Sequence, residues 1–284
     1  MSILPYIRLL RPVQWLKNLM LLFPPFLGGT LLQEDFISRS IFPLVSFCLA
    51  SSATYVVNDL ADCDADREHP VKMRRPLPSG DASSRVALML AVLFLLTALF
   101  LAASVSGTFF GLLLGYLVVS FLYSFNFKNY AIIDLFCIAS GFIIRLIAGG
   151  AAFGVTISEW LFLTVFLLAL FLSTGKRNGE QRSLGMQAGQ HRKALLEYPA
   201  GFLDGLLFMT GSAVLVTYTM YVISRQSPLL LYSVPLCCFG LLRYIMRVQS
   251  GNGGDPTESL TRDLPLFIVG ISWAILVGLG IYGR

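Results

Sequence analysis

The chain has 284 residues, of which 56% are hydrophobic and only 13% are charged, and its formal net charge is +5. Soluble domains carry roughly 25% charged residues, so this composition excludes an ordinary soluble enzyme and predicts an integral membrane protein. The positive charge suits anionic lipids or phosphorylated ligands at one membrane face, and no nucleic-acid partner is needed to explain it.

Nine apolar stretches are each close to the roughly 20 residues that a helix needs to cross a bilayer. They lie at about residues 16–33, 40–58, 85–104, 107–125, 131–153, 158–175, 200–223, 228–248 and 264–282. The first contains Pro24-Pro25 and Gly28-Gly29, which predicts a kink. We therefore predict an all-α integral membrane protein with a single bundle of about nine transmembrane helices, forming one domain over residues 1–284.

The basic residues predict the orientation of these spans. When the spans are threaded in order, most of the 21 Lys and Arg residues fall on the same side as the N-terminus, whereas Arg39, Arg225 and Arg284 fall on the other side. Loops on the cytoplasmic side of membrane proteins carry an excess of Lys and Arg. This asymmetry predicts a cytoplasmic N-terminus.

An acidic motif, NDLADCDAD at residues 58–66, closes the second predicted span. Because residues three, four and seven apart share a helix face, Asn58 and Asp62 should be adjacent, with Asp59 and Asp66 on the neighbouring stripe. Carboxylates this dense repel each other unless a cation lies among them, and a small set of hard oxygen ligands favours Mg²⁺ shared with a substrate phosphate. The alternative interpretation is a solvated acidic helix end.

The residues around this motif either complete the predicted site or lie outside it. Tyr55 precedes the motif by one helical turn on the same side, whereas Asp64 falls well off the shared face. A proline-rich loop then carries Lys72, Arg74 and Arg75 back towards the aspartates. Cations and a metal together can hold a diphosphate, although these three cations could also serve only as anchors at the cytoplasmic face.

Further polar residues mark the fourth and fifth spans. Lys128 follows the fourth span, and Asp134 and Arg145 are eleven residues apart on the fifth, so these two face the same way. A charged group at the depth of Arg145 costs about 2.5–3.5 kcal/mol unless it faces a cavity or a partner. A cavity that binds anions is therefore expected, because Asp134 is too far along the helix to pair with Arg145.

The loop after the sixth span contains Lys176, Arg177 and Glu180. Lys176 and Glu180 could form an exposed helical pair worth about 0.2–0.5 kcal/mol. The position of Lys176 at the mouth of the predicted site favours contact with a substrate instead.

Together these motifs resemble the UbiA superfamily of intramembrane prenyltransferases, and within it the branch of decaprenyl-phosphate phosphoribosyltransferases. The matching pieces extend over most of the chain: RPVQWLKN at 11–18, YVVNDLAD at 55–62, HPVKMRRP at 69–76, the segment 123–145 and GKR at 175–177. Aromatic prenyltransferases of the superfamily have a second aspartate-rich motif after the sixth span. This chain has Lys176, Arg177 and Glu180 there instead, which favours the phosphoribosyltransferase branch.

The resemblance implies a role for each candidate residue. Asn58 and Asp62 would hold Mg²⁺, with Asp59 or Asp66 in a supporting catalytic or second-metal role. The expected donor-binding residues are Lys17, Tyr55, Lys72, Lys128 and Arg145, and the expected acceptor-binding residues are Lys176 and Arg177.

The same resemblance implies the reaction and its location. The expected reaction moves 5-phosphoribose from phosphoribosyl diphosphate to a polyprenyl phosphate of the decaprenyl type, for arabinan or related glycan precursors. It would occur at the cytoplasmic side of the inner (plasma) membrane of a bacterial cell, in contact with membrane lipid, and a homo-oligomer is left open.

Two other functions remain open from the sequence. Transfer of a prenyl group to an aromatic or quinone precursor would use the same aspartates, but it also predicts the second acidic motif that is missing here. A transporter of phosphorylated metabolites would also place basic residues in a cavity. Transporters tend to show paired halves, and the sequence contains no convincing internal repeat.

Overall fold

The computed structural model describes residues 4–68, 72–184, 193–251 and 254–283, and every regular element in these ranges is helical. The α-helices are α1 (Leu4–Leu9), α2 (Phe23–Leu27), α3 (Phe36–Ala61), α4 (Cys63–Arg67), α5 (Ser84–Val105), α6 (Gly107–Phe125), α7 (Ile133–Phe153), α8 (Glu159–Leu184), α9 (Ala194–Glu197), α10 (Phe202–Ser224), α11 (Pro228–Leu231), α12 (Ser233–Gln249), α13 (Pro256–Arg262) and α14 (Leu264–Tyr282). Three 3₁₀ segments lie at Pro12–Leu22, Lys72–Arg74 and Phe127–Asn129.

Within the part of the chain that the structure describes, eight helical stretches are long and apolar enough to cross a membrane. They are α3, α5, α6, α7, α8, α10, the consecutive helices α11 and α12, and α14. These eight correspond to the second to ninth stretches predicted from hydropathy, so the multi-pass, all-α class is confirmed.

The first predicted span, at 16–33, is not one continuous helix. The 3₁₀ segment Pro12–Leu22 is followed by the five-residue α2, which contains Pro24-Pro25, and Gly29 just after it has a φ of 77°. Proline removes a backbone donor and glycine accepts a left-handed conformation, so the two together interrupt a helix. The number of nine spans and the cytoplasmic N-terminus stay predictions.

The helices form two compact units. Unit 1 contains the described residues of 1–25, 30–128 and 144–156, and unit 2 contains those of 26–29, 129–143 and 157–284. Helix α7 contributes its first half to unit 2 and its second half to unit 1. The prediction of a single domain is not decided by this division and stays a prediction.

Unit 1 is built by close packing of α3 against α5. The buried side chains on one face of α5 are all alanine, at Ala87, Ala91, Ala98 and Ala102. Small residues along a helix face let two membrane helices approach closely. The 3₁₀ segment packs just as tightly on α7, because a Cβ atom at Gly149 would collide with the carbonyl oxygen of Leu21.

Unit 2 is organised around α8, which packs against α10. Phe171 of α8, Leu207 and Val214 of α10, and Tyr244 and Val248 of α12 form its buried apolar core. The polar ends of these helices carry the charged residues of unit 2 described below.

Candidate active site

The acidic motif lies where α3 ends. Asn58 Nδ2 donates to Asp62 Oδ2 at 3.2 Å, which confirms that these two side chains are adjacent. Helix α3 ends at Ala61 with Asp62 as its C-cap, but the backbone N–H of Asp66 donates to the Asp62 carbonyl at 2.8 Å. The helical spacing of the acidic residues therefore continues into α4. Asp64 is 94% exposed and pairs with Arg67, outside the cluster, as the helical spacing predicts.

Asp59 and Asp66 share one guanidinium group. Arg75 Nη1 lies 3.2 Å from Asp59 Oδ1 and 2.6 Å from Asp66 Oδ2, and both aspartates are buried. Lys72 Nζ also lies 3.5 Å from Asp66 Oδ1. The repulsion between the two carboxylates is thus offset by cations from the following loop, and this contact confirms that both aspartates face the same way.

Arg11 reaches the same cluster from the N-terminal segment. Its Nη2 lies 2.5 Å from Asp59 Oδ1, and its guanidinium carbon lies 5.2 Å from the centre of the Tyr55 ring. The backbone of Arg11 has a φ of 52°, a conformation that residues other than glycine adopt at a cost. The ion pair and the ring contact offset that cost. Sequence reasoning saw Arg11 only as part of a motif and missed this contact.

Lys128 completes the cluster. Its Nζ lies 2.5 Å from Asp62 Oδ1, and the side chains of Lys128 and Asp62 are 16% and 27% exposed. Lys128 belongs to the 3₁₀ turn Phe127–Asn129 that follows α6. The ammonium group therefore occupies a cation position beside the Asn58–Asp62 pair while remaining partly accessible to solvent.

The cluster carries more positive than negative charge. Its three carboxylates and their four cationic partners are Asp59, Asp62 and Asp66 with Arg11, Lys72, Arg75 and Lys128. A group of side chains with this balance attracts an anion.

Arg145 has neutral and aromatic partners inside unit 1. Its Nε donates to Asn18 Oδ1 at 2.8 Å and its Nη2 to Tyr116 Oη at 3.1 Å, and its guanidinium carbon lies 4.5 Å from the centre of the Tyr116 ring. These partners account for a buried charge at membrane depth. Lys17 lies half-buried beside Asn18 in the 3₁₀ segment. Asn18 and Tyr116 were not predicted, and only the RPVQWLKN motif pointed to Asn18.

The metal prediction can be compared with the donor atoms present. Among the described residues, no group of three or more His, Cys, Asp or Glu side chains is arranged to hold a metal ion. Mg²⁺ commonly uses one or two carboxylates together with waters and substrate phosphates. Asn58 and Asp62 have the hard oxygens for that smaller set, and a metal there would displace Lys128 from Asp62 Oδ1 and Asn58 from Asp62 Oδ2. Asp59 and Asp66 are buried and taken up by arginines.

In unit 2, the neighbouring residues Lys176 and Arg177 have different surroundings. Lys176 is 39% exposed and donates to Asp255 Oδ2 at 3.2 Å. Arg177 is 2% exposed and bonds Asp134 at 2.6 Å and Glu180 at 2.8 Å. The sequence grouped the two residues, but the structure separates an accessible lysine from a buried arginine.

Tyr198 completes the buried group around Asp134. Its hydroxyl donates to Asp134 Oδ1 at 3.0 Å and accepts from the backbone N–H of Ile132 at 2.7 Å. Burial raises the pKa of Tyr198 well above its usual range, and the neighbouring Asp134 carboxylate raises it further. Because Ile132 has a φ of 66°, the tyrosine also holds the strained start of α7.

Comparison with known proteins identifies the family. The model of the UbiA prenyltransferase family matches residues 21–271. The decaprenyl-phosphate phosphoribosyltransferase of Mycolicibacterium smegmatis is 31% identical, with 97% of this chain and 92% of the relative covered. The enzyme of that name from Corynebacterium glutamicum is 32% identical, with 97% and 86% covered.

The fold comparison agrees. A solved UbiA homologue from Archaeoglobus fulgidus, bound to GPP and Mg²⁺, superposes with a TM-score of 0.76 at 22% identity, covering 99% of this chain and all of that chain. The resemblance seen in the sequence motifs is therefore confirmed. The chain belongs to the UbiA prenyltransferase family.

Proposed function

We propose that this protein transfers 5-phosphoribose from phosphoribosyl diphosphate to a polyprenyl phosphate in a Mg²⁺-dependent reaction. The product would be polyprenylphosphoryl-5-phosphoribose. The names of the relatives that match nearly the whole chain support this reaction. The observation that carries the proposal is the partly exposed cluster of unit 1, where Asn58 and Asp62 lie among cations.

The donor diphosphate is assigned to this cluster. Mg²⁺ held by Asn58 and Asp62 would supply positive charge to the departing diphosphate. Lys128 and Lys72 would exchange their carboxylate contacts for phosphate oxygens, since a diphosphate offers more negative charge than one carboxylate. The solved homologue described above is itself bound to Mg²⁺, but the metal is proposed here from the oxygen donors of this chain.

Asp59 and Asp66 are assigned a positioning role. Both are buried and engaged by arginine, so they orient Arg11 and Arg75 beside the donor rather than coordinating a second metal. This proposal chooses the supporting role over the second-metal role that the sequence left open. Removal of Asp59 would leave Arg11 without its carboxylate partner, and removal of Asp66 would leave Arg75 held by Asp59 alone.

The remaining donor contacts are assigned to Tyr55 and Lys17. Arg11 lies over the Tyr55 ring, which supports a role for that phenol as a hydrogen-bond partner for diphosphate or ribose. Lys17 is half-buried in the 3₁₀ segment, where it would bind the 5-phosphate of the donor. The ammonium group of Lys17 suits a phosphate monoester. Arg145 is removed from the donor site, because its guanidinium is buried against Asn18 and Tyr116.

The chemistry follows from the charges. Cleavage of the C1–O bond places positive charge on the ribose and negative charge on the diphosphate, and the cations stabilise the latter as it forms. The acceptor phosphate is already an anion, so attack needs no general base. Attack opposite the leaving group inverts the anomeric centre.

The acceptor phosphate is assigned to Lys176, whose ammonium group is accessible. Arg177 is removed from the acceptor site, because its guanidinium is buried against Asp134. The product would feed arabinan or related glycan precursors at the cytoplasmic face of a bacterial plasma membrane.

Product analysis tests the reaction. Purified protein in detergent is given ribose-labelled phosphoribosyl diphosphate, Mg²⁺ and polyprenyl phosphate, and the lipid fraction is examined by mass spectrometry. We expect a lipid that carries labelled 5-phosphoribose, with release of diphosphate. Conversion of a prenyl diphosphate and an aromatic acid under matched conditions, without the ribosyl lipid, would overturn the proposal in favour of prenyl transfer.

A further inference from the structure

The accessible Lys176 is paired within unit 2 to an acidic residue. Its Nζ donates to Asp255 Oδ2 at 3.2 Å, and the two side chains are 39% and 31% exposed. Asp255 is also the N-cap of α13, because its Oδ1 accepts from the backbone N–H groups of Thr257 at 3.0 Å and Glu258 at 3.3 Å. One carboxylate oxygen therefore caps a helix while the other binds the lysine.

The chain fixes Asp255 firmly in this place. A Cβ atom at the preceding Gly254 would collide with the carbonyl oxygen of Gly175, so the two backbones are in direct contact beside Lys176. Tyr244 Oη donates to the Gly254 carbonyl at 2.7 Å, and the same hydroxyl lies 3.3 Å from the Leu172 carbonyl of α8, so the tyrosine holds the loop beside α8. The aspartate is the rigid partner, and the lysine, on its flexible four-carbon stem, is the mobile one.

We propose that Asp255 sets the affinity of Lys176 for the acceptor phosphate by acting as a built-in counter-ion that the phosphate must displace. This inference rests on the proposed function, in which Lys176 binds the lipid phosphate. The ammonium group swings from the fixed carboxylate to the incoming phosphate, and Asp255 retakes it when the product leaves.

Asp255→Asn tests the inference without removing the helix cap. Asparagine caps helices about as well as aspartate, so the variant loses the charge and should unfold at the parent's temperature. Equilibrium binding of a short prenyl monophosphate in detergent micelles should tighten about two- to fivefold, the range for a partly exposed ion pair. Binding of phosphoribosyl diphosphate should not change.

Two further variants make the result specific. Glu258→Gln removes a charge of the same sign from the same helix, where Glu258 pairs with Arg262, and it should leave prenyl monophosphate binding unchanged. Lys176→Ala should weaken that binding, and Asp255→Asn should then have no effect in the Lys176→Ala background. This dependence on Lys176 separates a direct counter-ion from a general field effect.

The outcomes distinguish this inference from the proposed function. If Lys176→Ala weakens prenyl monophosphate binding but Asp255→Asn leaves it unchanged or weakens it, the counter-ion role is wrong and the Lys176 assignment stands. Equal tightening by Asp255→Asn and Glu258→Gln also overturns the counter-ion role. If Lys176→Ala has no effect on binding, the acceptor assignment fails and the inference fails with it.

Discussion

The ionic networks of the two units use the same residue types for different purposes. In unit 1, Lys128 and Asp62 are paired but remain partly accessible to solvent. In unit 2, Arg177 and Asp134 are almost fully buried, and Tyr198 occupies the second oxygen of Asp134. A residue of a solvent-accessible ion pair can exchange its partner for a ligand, whereas a residue of a buried ion pair cannot. Accessibility, rather than charge, separates the candidate site from the scaffold.

The largest effect is expected where the cluster of unit 1 is broken at its centre. Asp62→Ala should nearly abolish turnover, because it removes the carboxylate that contacts both Asn58 and Lys128. Expression and folding should change little, since Asp62 is partly exposed. Initial rates with purified protein measure this, and EDTA should reduce the activity of the parent to the same level.

Asp64→Ala is the matched control for this prediction. Asp64 lies two residues away, but its side chain is almost fully exposed and faces Arg67. Its removal should leave turnover close to that of the parent. Equal losses at Asp62 and Asp64 would contradict the assignment of the site to one helix face.

The buried ion pair of Arg177 and Asp134 in unit 2 is expected to matter for stability. Arg177→Ala leaves the buried Asp134 without its guanidinium, which should destabilise the protein by about 3–5 kcal/mol. Thermal unfolding in detergent measures the loss. Replacing both partners with apolar residues, as in Asp134→Leu with Arg177→Met, should recover most of it because no buried charge is left unpaired. A fully stable Arg177→Ala protein would show that the pair is not structural.

Substitution of two lysines tests which one binds the donor and which one binds the acceptor. Charge-assisted contacts to phosphate are worth roughly 1.5–3 kcal/mol, or about ten- to a hundredfold in binding. Lys72→Ala should therefore raise the KM for phosphoribosyl diphosphate and leave that for polyprenyl phosphate nearly unchanged, and Lys176→Ala should do the reverse. Steady-state kinetics with each substrate varied in turn separates the two. An effect of Lys176→Ala on the donor alone would move the acceptor site elsewhere.

The smallest effect concerns acid stability in unit 2. A hydrogen bond from Arg243, together with bonds from the Leu266 N–H and Arg247, lowers the pKa of Asp263 from 3.8 to about 2. A carboxyl with a lowered pKa stabilises the fold above its unfolded-state pKa, and this stabilisation is lost as the pH falls from about 3.8 through about 2. Asp263→Asn should therefore flatten the fall in unfolding temperature across this window.

The exposed pair of Glu258 and Arg262 provides the control for that experiment. Exposed ion pairs contribute little to stability, so Glu258→Gln should keep the acid dependence of the parent. If Asp263→Asn loses stability on acidification as steeply as the parent does, another group is responsible for the acid transition.

Local features of the fold and site were predictable from the sequence, whereas distant partners were not. Of the nine stretches predicted from hydropathy, eight correspond to membrane-length helices, and helical spacing correctly predicted that Asn58 lies beside Asp62. Both predictions depend only on residues that are close in the chain. Arg145 and Asn18 are 127 residues apart, and Arg177 and Asp134 are 43 apart. No sequence periodicity links residues so far apart. The burial of Arg177 therefore became visible only in the structure, where α7 packs against its neighbours in unit 2.

Equilibrium binding of phosphoribosyl diphosphate, measured with and without Mg²⁺, tests the role of the Asn58–Asp62 pair most directly. Purified parent protein should bind the donor more tightly when Mg²⁺ is present, and Asp64→Asn should behave in the same way. Asp62→Asn should lose that dependence, because it removes the carboxylate assigned to the metal. Binding by Asp62→Asn with the same Mg²⁺ dependence as the parent would contradict the assignment of the donor diphosphate to this cluster.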